Sequence, residues 1–211
     1  FQLVVEGVAQ RKSYLQPFPV FDASGARYAY VATDLDRVTH RLIIDGEEAP
    51  YLGFWPTWTS DGKLVTVTPP DAQSGLTAVQ RDGEKLLEAA AVERFVPAPA
   101  GGRVATLTRG GRSYQLWIDG EKVSEGPNVE SVHWSADGKR WGAVCDTGRG
   151  TRFLLLDGKP GPEYQNLTGV TFSADGSRVH FLGYGNGQFV LVIENERQSP
   201  ASALPIEPRV D

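Results

Sequence analysis

The sequence predicts an all-β protein built from five copies of one four-stranded unit. Two turn signatures repeat in step along the chain, and the residues between them alternate in character. The first signature is Ala23-Ser24-Gly25, Ser60-Asp61-Gly62, Pro99-Ala100-Gly101, Ala136-Asp137-Gly138 and Ala174-Asp175-Gly176, its glycines 37, 39, 37 and 38 residues apart. The second is Asp45-Gly46, Asp82-Gly83, Asp119-Gly120 and Asp157-Gly158, with steps of 37, 37 and 38 and with Glu194-Asn195 a further 37 on. Two independent series holding one period mark a repeat architecture.

Strand a is short and carries Phe21, Trp58, Trp134 and Phe172, each four residues before the glycine of the first turn. Such glycine turns admit the positive φ that a tight reversal needs. Strand b follows, as in 27–32 and 178–182. After the glycine, the third position holds Tyr28, Val65, Val104, Trp141 and Val179, and the fifth Tyr30, Val67, Thr106, Ala143 and Phe181. Between them, on the opposite face, stand Ala29, Thr66, Ala105, Gly142 and His180. A period of two with one bulky and one small face is β-structure packed between neighbouring sheets.

A polar or glycine-rich connection comes next: Asp34-Leu35-Asp36, Arg109-Gly110-Gly111, Gly148-Arg149-Gly150 or Gly185-Asn186-Gly187. Strand c is apolar, as in Leu42-Ile43-Ile44, Leu116-Trp117-Ile118, Leu154-Leu155-Leu156 and Leu191-Val192-Ile193. The second turn then leads into strand d. Only 84–93 has a composition that also suits a helix, and its alanine run equally fits an irregular strand d. Four-stranded repeats of about 40 residues are propeller blades.

The unit reads aromatic-Ser-Ala-Asp-Gly-x-Arg, apolar strand, loop, apolar strand, Asp-Gly-Lys, most fully at 134–158 and 172–195. This resembles the WD-like repeat of TolB-type β-propellers over nearly the whole chain. The third copy departs, with Pro97-Ala98-Pro99 in place of the aromatic and serine, and the Trp-Asp and Gly-His pairs of true WD repeats are absent. The resemblance implies a five-bladed propeller over residues 1–197. Its repeats run at about 16–53, 54–92, 93–129, 130–168 and 169–197. Residues 1–15 supply a strand that closes the last blade, and 198–211 form a polar, proline-rich tail.

Composition restricts the function classes. With 40% apolar and 22% charged residues, a chain of 211 residues buries a large core. A formal charge of −5 without any run of Lys and Arg argues against tracking nucleic-acid phosphates. The single cysteine, Cys145, rules out an intrachain disulfide and a Cys-rich metal or redox centre. No apolar run reaches the ~18 residues of a membrane-spanning helix, so direct membrane insertion is not expected. The chain opens on Phe1 and has no methionine; a cleaved leader and a trimmed chain both give that.

No catalytic set emerges. The repeated aspartates suggest paired carboxylates for glycoside hydrolysis, but each stands beside glycine in a tight turn that accounts for it. His40, His133 and His180 fall in a loop, a strand a and a strand b of different repeats, not in a metal-ligand spacing. Neither a Gly-x-Ser-x-Gly elbow nor a phosphate-binding glycine motif is present. No metal and no cofactor is therefore expected.

What remains is contact chemistry. Most aromatics occupy repeat-equivalent core positions. Off the pattern are Tyr51, Trp55 beside Pro56, Tyr164 and Tyr184; His133 joins them because it precedes Trp134 on an inner strand. Exposed aromatics make protein or sugar contacts. The expectation is a non-catalytic interaction module that binds another protein through some of these residues. By resemblance to TolB-type propellers it is a periplasmic or secreted accessory subunit of a larger envelope complex, its partner a possible membrane-complex subunit. A carbohydrate-binding or glycoside-processing propeller is the alternative.

Overall fold

A computed structural model of the chain describes residues 2–5, 7–12, 18–34, 39–126, 128–194 and 196–197. The expected tail at 198–211, part of the closing segment 1–15, Leu35, Asp36 and Asn195 lie outside the described residues. Among those described there is no helix, and none is long and apolar enough to cross a membrane.

The strands form one hairpin and five four-stranded antiparallel meanders. The hairpin pairs β1 (Gln2–Val5) with β2 (Val8–Lys12). Sheet 1 is β3 (Val20–Phe21), β4 (Tyr28–Thr33), β5 (His40–Ile44) and β6 (Glu47–Glu48). Sheet 2 is β7 (Phe54–Trp58), β8 (Leu64–Val67), β9 (Thr77–Arg81) and β10 (Glu84–Ala89). Sheet 3 is β11 (Ala91–Pro97), β12 (Val104–Gly110), β13 (Ser113–Ile118) and β14 (Glu121–Gly126). Sheet 4 is β15 (Asn128–Trp134), β16 (Trp141–Asp146), β17 (Arg152–Leu156) and β18 (Lys159–Pro160). Sheet 5 is β19 (Asn166–Phe172), β20 (Val179–Gly185), β21 (Gln188–Ile193) and β22 (Glu196–Arg197). The stretch 84–93 is strand throughout except at Ala90, where strand d of sheet 2 passes into strand a of sheet 3. His40, read from sequence as a loop residue, is the first residue of β5.

The second turns of sheets 1 to 4 are two-residue reversals with both residues at positive φ, as in Asp45 (51°) and Gly46 (89°). That conformation matches the twist of the flanking strands. The acid at the turn has a second task. Asp45 Oδ1 accepts from the Tyr28 amide at 2.9 Å, and the same bond joins Asp82 to Leu64, Asp119 to Val104, and Asp157 to Trp141. Glu194 keeps it in sheet 5, its Oε1 2.7 Å from the Val179 amide. The carboxylate thus ties the start of strand b to the end of strand c in every sheet. This requirement, beyond turn preference, is met by a carboxylate even where Asp-Gly becomes Glu-Asn.

The same bond exposes one error in the alignment of the repeats. The residue it holds, which also faces the strand-a aromatic across the ladder, is Tyr28, Leu64, Trp141 or Val179. In sheet 2 that residue is Leu64, not Val65. The first turn there closes from the Thr59 amide to the Lys63 carbonyl, one residue shorter than Asp22 to Arg27 or Ser135 to Arg140. A slip of one residue moves every side chain to the other face. Val65 and Val67 therefore face the following sheet, while Tyr28 and Tyr30 face back toward the hairpin.

The chain comprises two compact units, Phe1–Glu125 and Gly126–Asp211. In the first, Tyr28, Tyr30, Ala32 and Ile43 form a core against Val5 of the hairpin. The opposite face of sheet 1, Ala29 and Leu42, packs on Trp58 and Leu64 of sheet 2. Val65, Val67 and Val79 of sheet 2 then pack on Val92 and Val104 of sheet 3. In the second unit, Val144, Leu154 and Leu156 of sheet 4 meet Leu167, Val170, Val179 and Phe181 around sheet 5. Strand b of sheets 1 and 2 is thus lined by apolar groups on both faces, each fully buried Val or Leu contributing roughly 1.5–3 kcal/mol.

Arginine fastens these junctions. Arg27 Nε donates to Asp45 of its own sheet at 2.9 Å and its NH1 to the Gly62 carbonyl of the next at 3.1 Å, the guanidinium lying 4.5 Å above the Trp58 ring. Arg140 repeats this with Asp157, the Ser177 carbonyl and the Phe172 ring, adding both oxygens of Glu194. Between sheets 2 and 3, Arg81 reaches Asp119 instead.

Candidate functional site

A cavity of about 650 Å3 in the first unit draws its lining from sheets 1, 2 and 3. Phe54 and Trp55 come from β7; Val67, Thr68, Pro69 and Pro70 from the end of β8 and its loop; His40 from β5; Ala91 and Val92 from β11. The two prolines carry no amide donor, and the Thr68 amide is taken up by the Ala78 carbonyl, so the surface is apolar.

Trp55 defines the rim. It is 60% exposed and sits at φ +51°. Of the seven described non-glycine residues at positive φ, the other six open two-residue turns between strands; Trp55 alone lies within a strand. The ladder between β7 and β8 shifts register between Phe54 and Thr57, a bulge that re-aims a side chain. A residue before proline favours extended backbone, and a left-handed conformation costs an aromatic residue roughly 1–2 kcal/mol. The fold therefore holds a large aromatic outward in a strained conformation, an outlier of the kind that clusters at functional sites.

Polar groups are few. His40 Nδ1 is 3.0 Å from the Thr33 hydroxyl, and its ring stands edge-on to Phe54 with centroids 5.1 Å apart. Thr68 Oγ1 accepts from the Ala78 amide. No carboxylate lines the cavity among the described residues.

A smaller hollow of about 190 Å3 shares His40 and Leu52 with the first and adds Tyr51, Arg41 and Glu48. Arg41 pairs with Asp34 and Glu48. Burial, with the Asp82 charge second, pushes the Tyr51 phenol above its usual range. The structure thus brings Tyr51 and Trp55, two of the aromatics singled out in the sequence, to adjoining hollows.

The other candidates belong to the second unit. Tyr164 is a core residue, 3% exposed, its ring edge-on to Phe181 at 5.7 Å. As an off-pattern aromatic it was expected at a contact surface; burial removes it from one. Tyr184 is half-buried at the end of β20, its ring 4.8 Å from that of Phe189. His133 is half-buried on β15, with Nε2 2.9 Å from the Ser131 hydroxyl, and burial holds its imidazole below the ordinary histidine range.

The remaining reactive groups have structural roles. In the first turns, Asp137 and Asp175 accept from Ser135 and Ser173 at 2.7 and 2.6 Å. Hydrogen bonds from Ser173 and Ser177 hold the Asp175 carboxyl down at about 2. Burial, with the Glu130 charge second, pushes the Cys145 thiol up to about 12, so it is no nucleophile at neutral pH. Among the described residues no group of three His, Cys, Asp or Glu side chains is placed to hold a metal.

No known family profile matches the sequence, and no curated protein does. Solved structures do resemble the fold. The crystal structure of the eukaryotic initiation factor is 11% identical with a TM-score of 0.52, aligning 92% of this chain with 57% of that one. The β-propeller domain of the Trilobed protease from Pyrococcus furiosus is 13% identical with a TM-score of 0.46, over 82% of this chain and 66% of that one. TolB from Acinetobacter baumannii is 14% identical with a TM-score of 0.38, over 84% of this chain and 49% of that one. The chain spans less than two thirds of the length of each. At these identities the likeness is one of fold alone.

Proposed function

We propose that the chain is a β-propeller of five four-stranded blades that holds another protein without catalysing a reaction, and that the Trp55 cavity is where it does so. The observation that carries this reading is the strained, exposed tryptophan on the rim of an apolar cavity. The occupant is an extended segment of the partner, one apolar side chain filling the cavity and Trp55 lying against its backbone. Tryptophan is the residue type that most often concentrates binding energy at such a point. The scarcity of hydrogen-bonding groups suits an apolar side chain and suits a sugar poorly. The lining also lacks the two carboxylates of a glycosidase. By the TolB-type resemblance of the repeat, the module serves in the bacterial envelope as an accessory subunit of a larger complex.

The test compares the chain with its Trp55→Ala variant as baits for solubilised membranes, with thermal unfolding of both as a control. A stoichiometric partner retained by the first and lost by the second, at unchanged melting temperature, supports the proposal. Capture of the same proteins by both overturns it, and binding to a glycan array that Trp55→Ala abolishes replaces it with the carbohydrate reading.

A further inference from the structure

The strand that carries Trp55 is built against strand addition. β7 ends sheet 2 and pairs, among the described strands, with β8. On its other side Pro56 supplies no amide, and the bulge between Phe54 and Thr57 breaks the spacing of the ladder groups. Proline and bulges are what keep sheet edges from pairing. An extended occupant therefore gains little from ladder bonds to β7. A helix is served no better: its apolar side chains recur over several turns and ask for a long groove, where this is one cavity of about 650 Å3.

Polyproline II is the extended conformation that needs no ladder. Its backbone makes no internal bonds, and proline brings no N–H for an apolar wall to leave unpaired. The lining joins the rings of Phe54, Trp55, Pro69 and Pro70, the kind of surface on which prolyl rings pack. It also holds a donor for a carbonyl. Among the described residues the Trp58 indole donates to the Val20 carbonyl at 3.0 Å and the Trp117 indole to the Thr108 hydroxyl at 2.8 Å, whereas the Trp55 indole donates to none. An exposed indole N–H at the rim gives an outward polyproline carbonyl its partner.

Charge sets what flanks the prolines. The smaller hollow continues from the cavity through His40 and Leu52. Arg41 is held there between Asp34 and Glu48, two carboxylates against one guanidinium, so this cluster carries one negative charge in excess. The Glu48 side chain is 49% exposed, within reach of a cation arriving from solvent.

We propose that the Trp55 cavity takes a proline-rich segment in the polyproline II conformation, with a prolyl ring in the cavity and a neighbouring arginine or lysine in the smaller hollow. This rests on the reading of the cavity as a partner site and names the chemistry of that partner.

Titration calorimetry of the chain with nonaproline carrying arginine at one end or the other tests this. The comparisons are the same peptides with glutamate for arginine, and a glycine–serine peptide bearing a single leucine. The arginine peptides should bind, and Trp55→Ala should weaken them about tenfold or more. Trp55→Gly serves as the same deletion if the alanine variant is unstable. Trp55→Phe keeps a ring but loses the N–H and should cost about fivefold, the worth of one hydrogen bond. Glu48→Gln should narrow the gap between the arginine and glutamate peptides. In heteronuclear NMR spectra one of the five indole cross-peaks, the one missing from Trp55→Phe, should move as the arginine peptide is added. No binding of the arginine peptides, binding that survives loss of the Trp55 ring, or equal binding of the leucine peptide overturns the proposal. The partner-site reading fails separately, when membrane proteins are captured without regard to Trp55. A Trp55-dependent partner, with no response to the arginine peptides, leaves that reading standing and removes this one.

Discussion

The ring of Tyr164 lies directly over Gly183, so close that a methyl group on residue 183 would fall inside its Cδ1 and Cε1 contact distance. The glycine is there because the tyrosine needs the space, and the pair closes the core of the second unit beside Phe181. Gly183→Ala should destabilise by about 1–3 kcal/mol through overpacking. Gly185→Ala, two residues along the same strand with nothing within 4 Å of the added carbon, should lie near the parent. Urea midpoints of the three proteins measure the difference.

Trp55 offers a comparison of strain with side-chain loss. Trp55→Gly and Trp55→Ala both delete the ring, but only glycine is relaxed at φ +51°. The glycine variant should be the more stable of the two by about 1 kcal/mol, while both lose the partner. Equal midpoints would show that the backbone at Trp55 stores no strain.

Asp157 ties the Trp141 amide and the Arg140 guanidinium at once, at 2.9 and 2.8 Å. Asp157→Ala should cost about 2 kcal/mol, because the amide loses its partner and the arginine its own-sheet anchor. Asp157→Asn keeps an acceptor for the amide and should cost less. Chemical unfolding of both variants measures the split between hydrogen bond and charge.

His133 gives the chain a pH dependence of known sign. Burial depresses its folded-state value below the ordinary 6.5, so the unfolded chain takes up the proton first. Stability is complete above about pH 6.5, falls as the pH drops below it, and levels off once the folded imidazole is also protonated. His133→Gln should remove that part of the slope. Urea midpoints between pH 5 and 8 for both proteins measure it.

Much of this architecture could be read from the chain because each turn forces a residue choice. Positive φ at the turns favours glycine and the tie to strand b needs a carboxylate, so the five sheets announce themselves by punctuation. The register of sheet 2 could not be read this way. Leu64, Val65, Thr66 and Val67 are all buried, so no exposed residue marks a face, and the one-residue shortening of the preceding turn leaves no trace in composition. The strain at Trp55 was equally silent, since a residue before proline is expected to be extended. Tyr164 looked exposed because it lies in a connection with no strand period; only the glycine across from it, 19 residues later, creates its pocket.

The carboxylate seam closes only one end of each b–c strand pair. The opposite end is joined by connections that differ freely in length, 68–76 in sheet 2 against 111–112 in sheet 3, while the seam geometry stays the same. Foreign segments grafted into those connections would leave every anchoring bond in place. The chain is in that sense a frame for display, on which recognition loops of new length and composition can be exchanged without renegotiating the fold beneath them.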